Sequence, residues 1–530
     1  MTLQPGALNT HSTSLTHALW RQCVADFRRE LWIGGVGTSS LTIDFAVDSA
    51  APADRVRLPG IHPEWLGLGH FTQAHDVRYA YVVGEMARGI ASPAMVIAAI
   101  RAGFFGFLGS AGLRLPVVEA AIDEIEASLP QGATGWGTNL IHTPEAPEGE
   151  RAFVELMLRR GVTRVSASAF MELSPQVVRY AATGLREDGE GRVHRRNHIF
   201  AKVSRPEVAS AFLRPSPDAT LDTLVAQGQL SAAEAALARR IAVASDITVE
   251  ADSGGHTDNR PLTVLFPVIA RLRARIWPDA PEWQQPRLGV AGGLGSPVAI
   301  ATAFHLGADY VVTGSINQSA VESGLSAAGR EMLATADLAD VVMAPAADMF
   351  ERGIKVQVLK RGTLFAARAN RLYEIYRAHD SIDALPSADR IWLEDKVLGE
   401  SFASAWQQTR HRLAQNNPAL LAKADAEPRR QLALVCRRYL FFGSQWAREG
   451  NLARRADFQI WCGPAIGDFN NWVAGSALAA PQQRHVGDIG LALLEGACRH
   501  QRGAQLAALG VTVPWAAMDD LPCAPSDPQA

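Results

Sequence analysis

From Tyr79 onward the chain alternates short, almost wholly apolar runs with longer segments whose apolar residues recur at helical spacing. The apolar runs begin near Tyr79, Gly103, Gly135, Arg164, His198, Asp246, Arg287 and Ala308. Between them, Pro93–Ala102, Leu115–Leu129, Gly149–Arg160, Ser174–Thr183, Pro261–Ile276 and Ser296–Leu306 read as helices, most opening at Ser or Pro as helices do. A run without a polar face is a strand buried on both sides, and such strands separated by helices make a parallel sheet. Eight units within ~240 residues predict an α/β fold, a closed (β/α)8 TIM barrel, which typically takes about 250. A doubly wound open sheet is the alternative, but no Gly-x-Gly-x-x-Gly follows the first run. One interval is too long: Leu221–Arg239, rich in Ala, predicts a helical insertion at about 218–242.

After Ser315 the pattern turns helical, over Met332–Arg352, Leu364–Arg377, Ala388–Ala414, Glu427–Gly450 and Asp488–Leu509. The expected organisation is an N-terminal segment (1–75) packed on the barrel, the barrel itself (76–320), a mostly helical substrate or lid region (321–480), and a C-terminal helix with a loose tail from Pro514 (481–530). Strands are expected in the first segment, but their register is not readable.

Composition narrows the function classes. With 530 residues, 48% hydrophobic and 20% charged, the net charge is −3, which leaves no electrostatic footprint for nucleic acid or an anionic membrane. The five cysteines (Cys23, Cys436, Cys462, Cys498, Cys523) form no Cys-x-x-Cys, so neither a zinc site nor a disulfide framework is expected. Residues 1–17 lack the features of a signal peptide, and no stretch approaches the ~18 apolar residues of a spanning helix. A cytoplasmic protein is expected.

Candidate chemistry gathers at the ends of the later strands. Ile247–Glu250 reads as a buried strand running into Gly254, Gly255 and His256, which puts an imidazole at a barrel mouth. No other ligand pair accompanies it, so no metal is expected. Glu250 and Asp252 are read as sharing one face of the strand, one of them structural or touching a ligand, and spacing does not rank them. The seventh and eighth runs end in Gly292-Gly293 and Gly314-Ser315, glycine-rich turns before helix starts, which is where barrels bind phosphate. Gly84-Glu-Met-Ala87, Asn139 and Lys202 complete a ring suited to a flat, largely apolar cofactor held by backbone and a few polar groups. Cys462 has no partner histidine and is expected to be buried.

Taken together, these strand ends resemble the FMN-dependent nitronate monooxygenase-like barrels, a group that includes a bacterial enoyl-acyl-carrier-protein reductase. The longer strings EADSGGHTDNRPL, MAPAADMFERGIKVQVLKRGTLF and DFQIWCGPAIGDFNNWV resemble the PfaD-type trans-acting enoyl reductases of polyketide and polyunsaturated fatty-acid synthases, from about Pro59 to Leu494. The resemblance implies FMN as cofactor, NADPH as co-substrate, and an enoyl thioester on an acyl carrier protein as substrate. It implies that Met86, Ala87, Asn139 and Lys202 contact the flavin ring or ribityl chain and that Gly292, Gly293, Gly314 and Ser315 hold its phosphate. Glu250, Gly254 and Gly255 join the cofactor contacts, and His256 is the catalytic residue. Lys355, Lys360 and Arg361 form a basic cluster suited to the carrier protein or its phosphopantetheine. A homodimer is compatible with this reading. The competing readings are a nitronate monooxygenase using FMN and oxygen, and a non-catalytic docking component.

Overall fold

A computed structural model describes residues 21–34, 42–45, 55–67, 69–144, 146–511 and 513–519. Eight parallel strands close a barrel: β1 (Tyr81–Val83), β2 (Phe105–Leu108), β3 (Trp136–Ile141), β4 (Arg164–Ser168), β5 (His198–Val203), β6 (Asp246–Glu250), β7 (Arg287–Ala291) and β8 (Tyr310–Thr313). Each strand pairs with the next, and β8 pairs with β1, Val311 against Tyr81. The predicted helices sit between them within a few residues of their expected ends. Ser92 and Ser174 cap two of these helices, accepting from the N–H groups of Met95 and Val177.

Strand alternation sorts the side chains into two cores. Tyr81, Val83, Ile247 and Val249 point outward and pack under the helices. Val82, Phe105, Phe107, Phe200, Tyr310 and Val312 point inward and meet Phe71, which plugs the barrel from the helix Gly69–His75. Phe71 stacks on Tyr310 with ring centroids 4.4 Å apart.

Below the aromatic layer, the buried Asp246 carboxylate accepts from Arg287 at 2.5 and 2.8 Å and lies 3.2 Å from His75. His75, His198 and Asp246 bring ligand atoms within 4.8 Å of one another. Arg287, however, already engages both carboxylate oxygens, so a cation stands where a metal would have to bind. Burial pushes the His75 imidazole down to about 4. Breaking a buried pair leaves its partner charge uncompensated, which typically costs about 3–5 kcal/mol. Asp246→Asn is therefore expected to lower the unfolding free energy by about that amount in urea denaturation; a loss below about 1 kcal/mol would show that the floor pair is dispensable.

The helical insertion is two helices, Asp218–Ala226 and Ala232–Ala238, the second closed by a Ser231/Glu234 capping box. In the first segment the strands Leu31–Gly34, Thr42–Phe45 and Arg55–Leu58 form a small antiparallel sheet with Leu31–Gly34 in the middle. The helix Val486–Ala508 lies along the barrel helices Pro297–His305 and Pro93–Arg101. The tail from Pro514 includes a short helix, Trp515–Met518; residues beyond Asp519 lie outside those described, as do the first 20. Among the described residues no helix is long and apolar enough to cross a membrane.

Beyond the barrel two expectations fail. Met332–Arg352 is not one helix: a helix ends at Ala334, and β9 (Val341–Pro345) forms an antiparallel hairpin with β10 (Lys355–Leu359). The β-branched residues of β9 and the alternating Lys-Val-Gln-Val-Leu of β10 favour strand, with Val356 and Val358 buried on one side. Ala388–Ala414 is broken at Gly399, which takes φ +72°, and Ser401 caps the next helix, Phe402–Asn416. The longest helix of this region is Pro428–Glu449.

Candidate functional site

The same alternation that sends Phe200 and Thr248 into the barrel brings Lys202 and Glu250, two residues on, to the inner face at its mouth. The Lys202 ammonium lies 2.8 Å from Glu250 and 3.2 Å from Glu85. Burial opposes its charge, but the two carboxylates outweigh burial and hold its pKa above the ordinary lysine range. Glu85 also accepts from Ser166 and Ser168 at 2.8 and 3.1 Å. Asn139 donates to Ser166 O and Ser168 Oγ at 3.2 and 3.0 Å.

These groups form the floor of a cavity of about 920 Å3. Its lining includes every cofactor or catalytic candidate from the sequence: Met86, Ala87, Asn139, Lys202, Glu250, Gly254, Gly255, His256, Gly292, Gly293, Gly314 and Ser315. Asp252 is excluded. The strand ends at Glu250, so the shared face does not extend to Asp252, whose carboxylate accepts from Asn259 Nδ2 at 2.8 Å.

After β7 and β8 the backbone is open. Gly293 takes φ +72° and a Cβ there would meet nothing within 4 Å; a Cβ on Gly314 would meet only Met86, at 3.8 Å or beyond. Among the described residues, the N–H groups of Gly293, Gly314 and Ser315 donate to no protein acceptor. Free N–H groups on two glycine-bearing turns, the first of them just before the helix Pro297–His305, suit a phosphate. The Gln318 amide donates to Trp461 O, while its Oε1 is buried without a partner and so offers an acceptor to a ligand N–H. The residues present thus fit a flavin mononucleotide. Gly254 has a different reason: a Cβ there would lie 2.8 Å from the backbone of Cys462, so its glycine lets the loop pack against that segment. Cys462 is buried, and burial pushes its thiol well above the ordinary range.

His256 follows on a loop fixed at both ends. Gly255 exchanges backbone hydrogen bonds with Gln357 of β10, at 3.2 and 3.0 Å. Beyond it, Thr257 Oγ1 donates to Ala251 O, and Asp258 accepts from Arg205 and Ser204 at 2.7–2.8 Å. The His256 ring lies 3.2 Å from Asp348, in the turn between β9 and β10. Burial works against its proton, but the Asp348 carboxylate, with Glu250 behind it, raises its pKa above the ordinary 6.5. An imidazole whose charged form a carboxylate favours is suited to donate a proton.

The basic cluster proposed from sequence lies elsewhere. Lys355, Lys360 and Arg361 are outside the cavity lining, and Arg361 donates to Asp340 at 2.8 Å and to Thr335 O at 3.0 Å. The cavity's basic side comes instead from the helices Phe402–Asn416 and Pro428–Glu449, which contribute Arg412, Arg429, Arg430, Arg437 and Arg438.

Residues 379–458 match the family described as acyl-carrier-protein S-malonyltransferase, inserted helical domain. The chain is similar to the enoyl reductase domain of MlnA from the macrolactin biosynthesis cluster of Bacillus amyloliquefaciens. The identity is 35%, the TM-score is 0.79, and the match covers 84% of this chain and 99% of that one. The chain belongs to the PfaD-type enoyl reductases. Two further relatives agree. A polyunsaturated fatty acid synthase component of Thraustochytrium sp. is 43% identical over 446 residues, 82% of this chain and 30% of the relative. Polyketide biosynthesis protein PksE of Bacillus subtilis is 42% identical over 436 residues, 82% of this chain and 56% of the relative. The chain thus spans about a third to about a half of the length of these curated relatives.

Proposed function

We propose that the chain is an FMN-dependent enoyl reductase that uses NADPH to reduce an α,β-unsaturated acyl thioester on an acyl carrier protein, in trans to a polyketide or polyunsaturated fatty-acid synthase. Family membership supports the broader part, an oxidoreductase of such synthesis. One observation carries the finer part. A carboxylate-paired imidazole, His256, faces the same cavity as the open N–H groups of Gly293, Gly314 and Ser315.

Gly292, Gly293, Gly314 and Ser315 would hold the flavin phosphate, and Met86, Ala87, Asn139, Lys202, Glu250 and Gly255 its ribityl chain and ring. Bound FMN would supply the hydride, taken from NADPH and delivered to the substrate β-carbon. The π pair of the double bond then moves toward the thioester oxygen, where negative charge develops. His256 in its protonated form stabilises that oxygen or delivers a proton to the α-carbon, and the Asp348 carboxylate favours that form. Lys202, clamped by Glu85 and Glu250, presents a fixed cation beneath the cavity. The helical region closes the site and excludes water. The test is whether NADPH bleaches the flavin anaerobically and a carrier-bound enoyl thioester restores its colour.

A further inference from the structure

Arg412, Arg437 and Arg438 crowd one part of the cavity with more positive charge than the protein neutralises. Arg437 pairs with Glu351 at 3.2 Å and Arg438 with Glu400 at 2.9 Å. Arg438 also donates to Gln408 at 2.6 Å. Arg429, further along the same helix, pairs with Asp380 at 3.0 Å. That leaves Arg412. Among the described residues no carboxylate faces it, and its guanidinium lies 5.4 Å from the centre of the Phe441 ring. Burial, and then the positive charges of Arg438 and Arg437, push its pKa down. Arg412 thus brings to the cavity wall an exposed guanidinium whose donors no carboxylate of the described residues takes up, beside two that are paired, and such a fork is open to an incoming anion.

The position of this surplus matters as much as its sign. Arg437 pairs with Glu351, three residues beyond Asp348 in the same turn between β9 and β10, so the arginines border the part of the cavity that carries the partner of His256. They stand on the 379–458 stretch, the part of the chain that matches the inserted helical domain of acyl-carrier-protein malonyltransferases. A guanidinium fork matches a phosphate ester better than any other biological anion except a carboxylate.

We infer that Arg412, with Arg437 and Arg438 beside it, binds the phosphodiester of the phosphopantetheine arm while the thioester end of that arm reaches His256. This rests on the carrier-bound substrate of the proposed function and adds the contact that selects it. It moves recognition of the phosphate from Lys355, Lys360 and Arg361 to the cavity-lining residues of two helices. The shared chemistry is a phosphate ester, and NADPH also carries phosphate, so the test separates the two.

Binding of 4′-phosphopantetheine and of pantetheine to the flavin-loaded full chain is measured by calorimetry, which needs no turnover and so does not depend on the reaction being right. The wild type is expected to bind the phosphorylated form about tenfold tighter or more, and in Arg412→Gln that ratio should fall to about one. Arg412→Lys, which keeps the charge and loses the fork, should give an intermediate ratio and serves if the glutamine variant does not fold. Equal binding of the two forms by the wild type, or a ratio that survives the substitution, overturns the inference. So does a variant whose loss is confined to NADPH affinity, because the arginine then belongs to the dinucleotide.

Discussion

Gly314→Asp is expected to give a folded chain that purifies without flavin. Gly314 directly follows β8 outside the left-handed region, in a conformation open to other residues, and the nearest atom to a new Cβ is Met86 Sδ at 3.8 Å. The substitution therefore adds charge without backbone strain. An aspartate there would meet the flavin phosphate at close range, where two like charges about 4 Å apart repel by roughly 4 kcal/mol at the effective dielectric of a protein surface. A loss of flavin affinity of about a hundredfold or more follows. Gly293 makes a poorer probe, because at φ +72° any side chain is strained and a failure to bind could come from the loop. The readouts are flavin absorbance per chain and a melting curve with and without added FMN. A variant that keeps its flavin would mean that the turn after β8 does not hold phosphate.

His256→Ala is expected to retain flavin and to lower kcat by about a hundredfold, the lower end of what a positioned proton donor contributes. The wild-type profile supplies the sign. Because the Asp348 carboxylate outweighs burial and raises the pKa of His256, kcat should fall as pH rises through that raised value. Asp348→Asn removes the carboxylate that favours the charged ring, so the alkaline limb should move to lower pH while flavin content stays constant. A His256→Ala enzyme that loses flavin would make the histidine structural. An alkaline limb unmoved by Asp348→Asn would assign the proton to another group.

Much of this site is legible in the sequence because a barrel strand has a strict period. Once Asp246–Glu250 is a parallel strand, Glu250 must share the inward face of Thr248, and Lys202 that of Phe200. The turns Gly292-Gly293 after β7 and Gly314-Ser315 after β8 are legible too, because glycine removes a side chain where a backbone must meet a ligand. Period stops helping where the strand stops. Strand alternation would put Asp252 on the face of Glu250, but β6 ends at Glu250 and the chain turns. Glu85, which fixes Lys202, lies beyond the end of β1, where alternation gives no sign of it.

Outside the barrel, helical composition misleads. Asp348 sits between two strands in a stretch that reads as one helix, which hides the partner of His256. The alternation in Lys355–Leu359 is the usable signal there. Lys355, Lys360 and Arg361 stand out because they are close in sequence, whereas the arginines that line the cavity come from two helices and the floor pair of Asp246 and Arg287 from two strands. The tail Thr257–Arg260 has no reading from sequence. Its hydrogen bonds to Ala251, Ser204 and Arg205 show that it anchors the histidine loop.

On the proposed function, one cavity takes hydride from a dinucleotide and passes it to a carrier-bound enoyl thioester. The most direct measurement follows the flavin of the purified chain near 450 nm, roughly where oxidised flavin absorbs, without oxygen and with NADPH and NADH side by side. The expected result is bleaching by NADPH and recovery of colour on adding an enoyl thioester attached to an acyl carrier protein, with one saturated thioester formed per flavin. Bleaching by a nitroalkane but not by either dinucleotide, or a reduced flavin that the enoyl thioester leaves colourless, would contradict it.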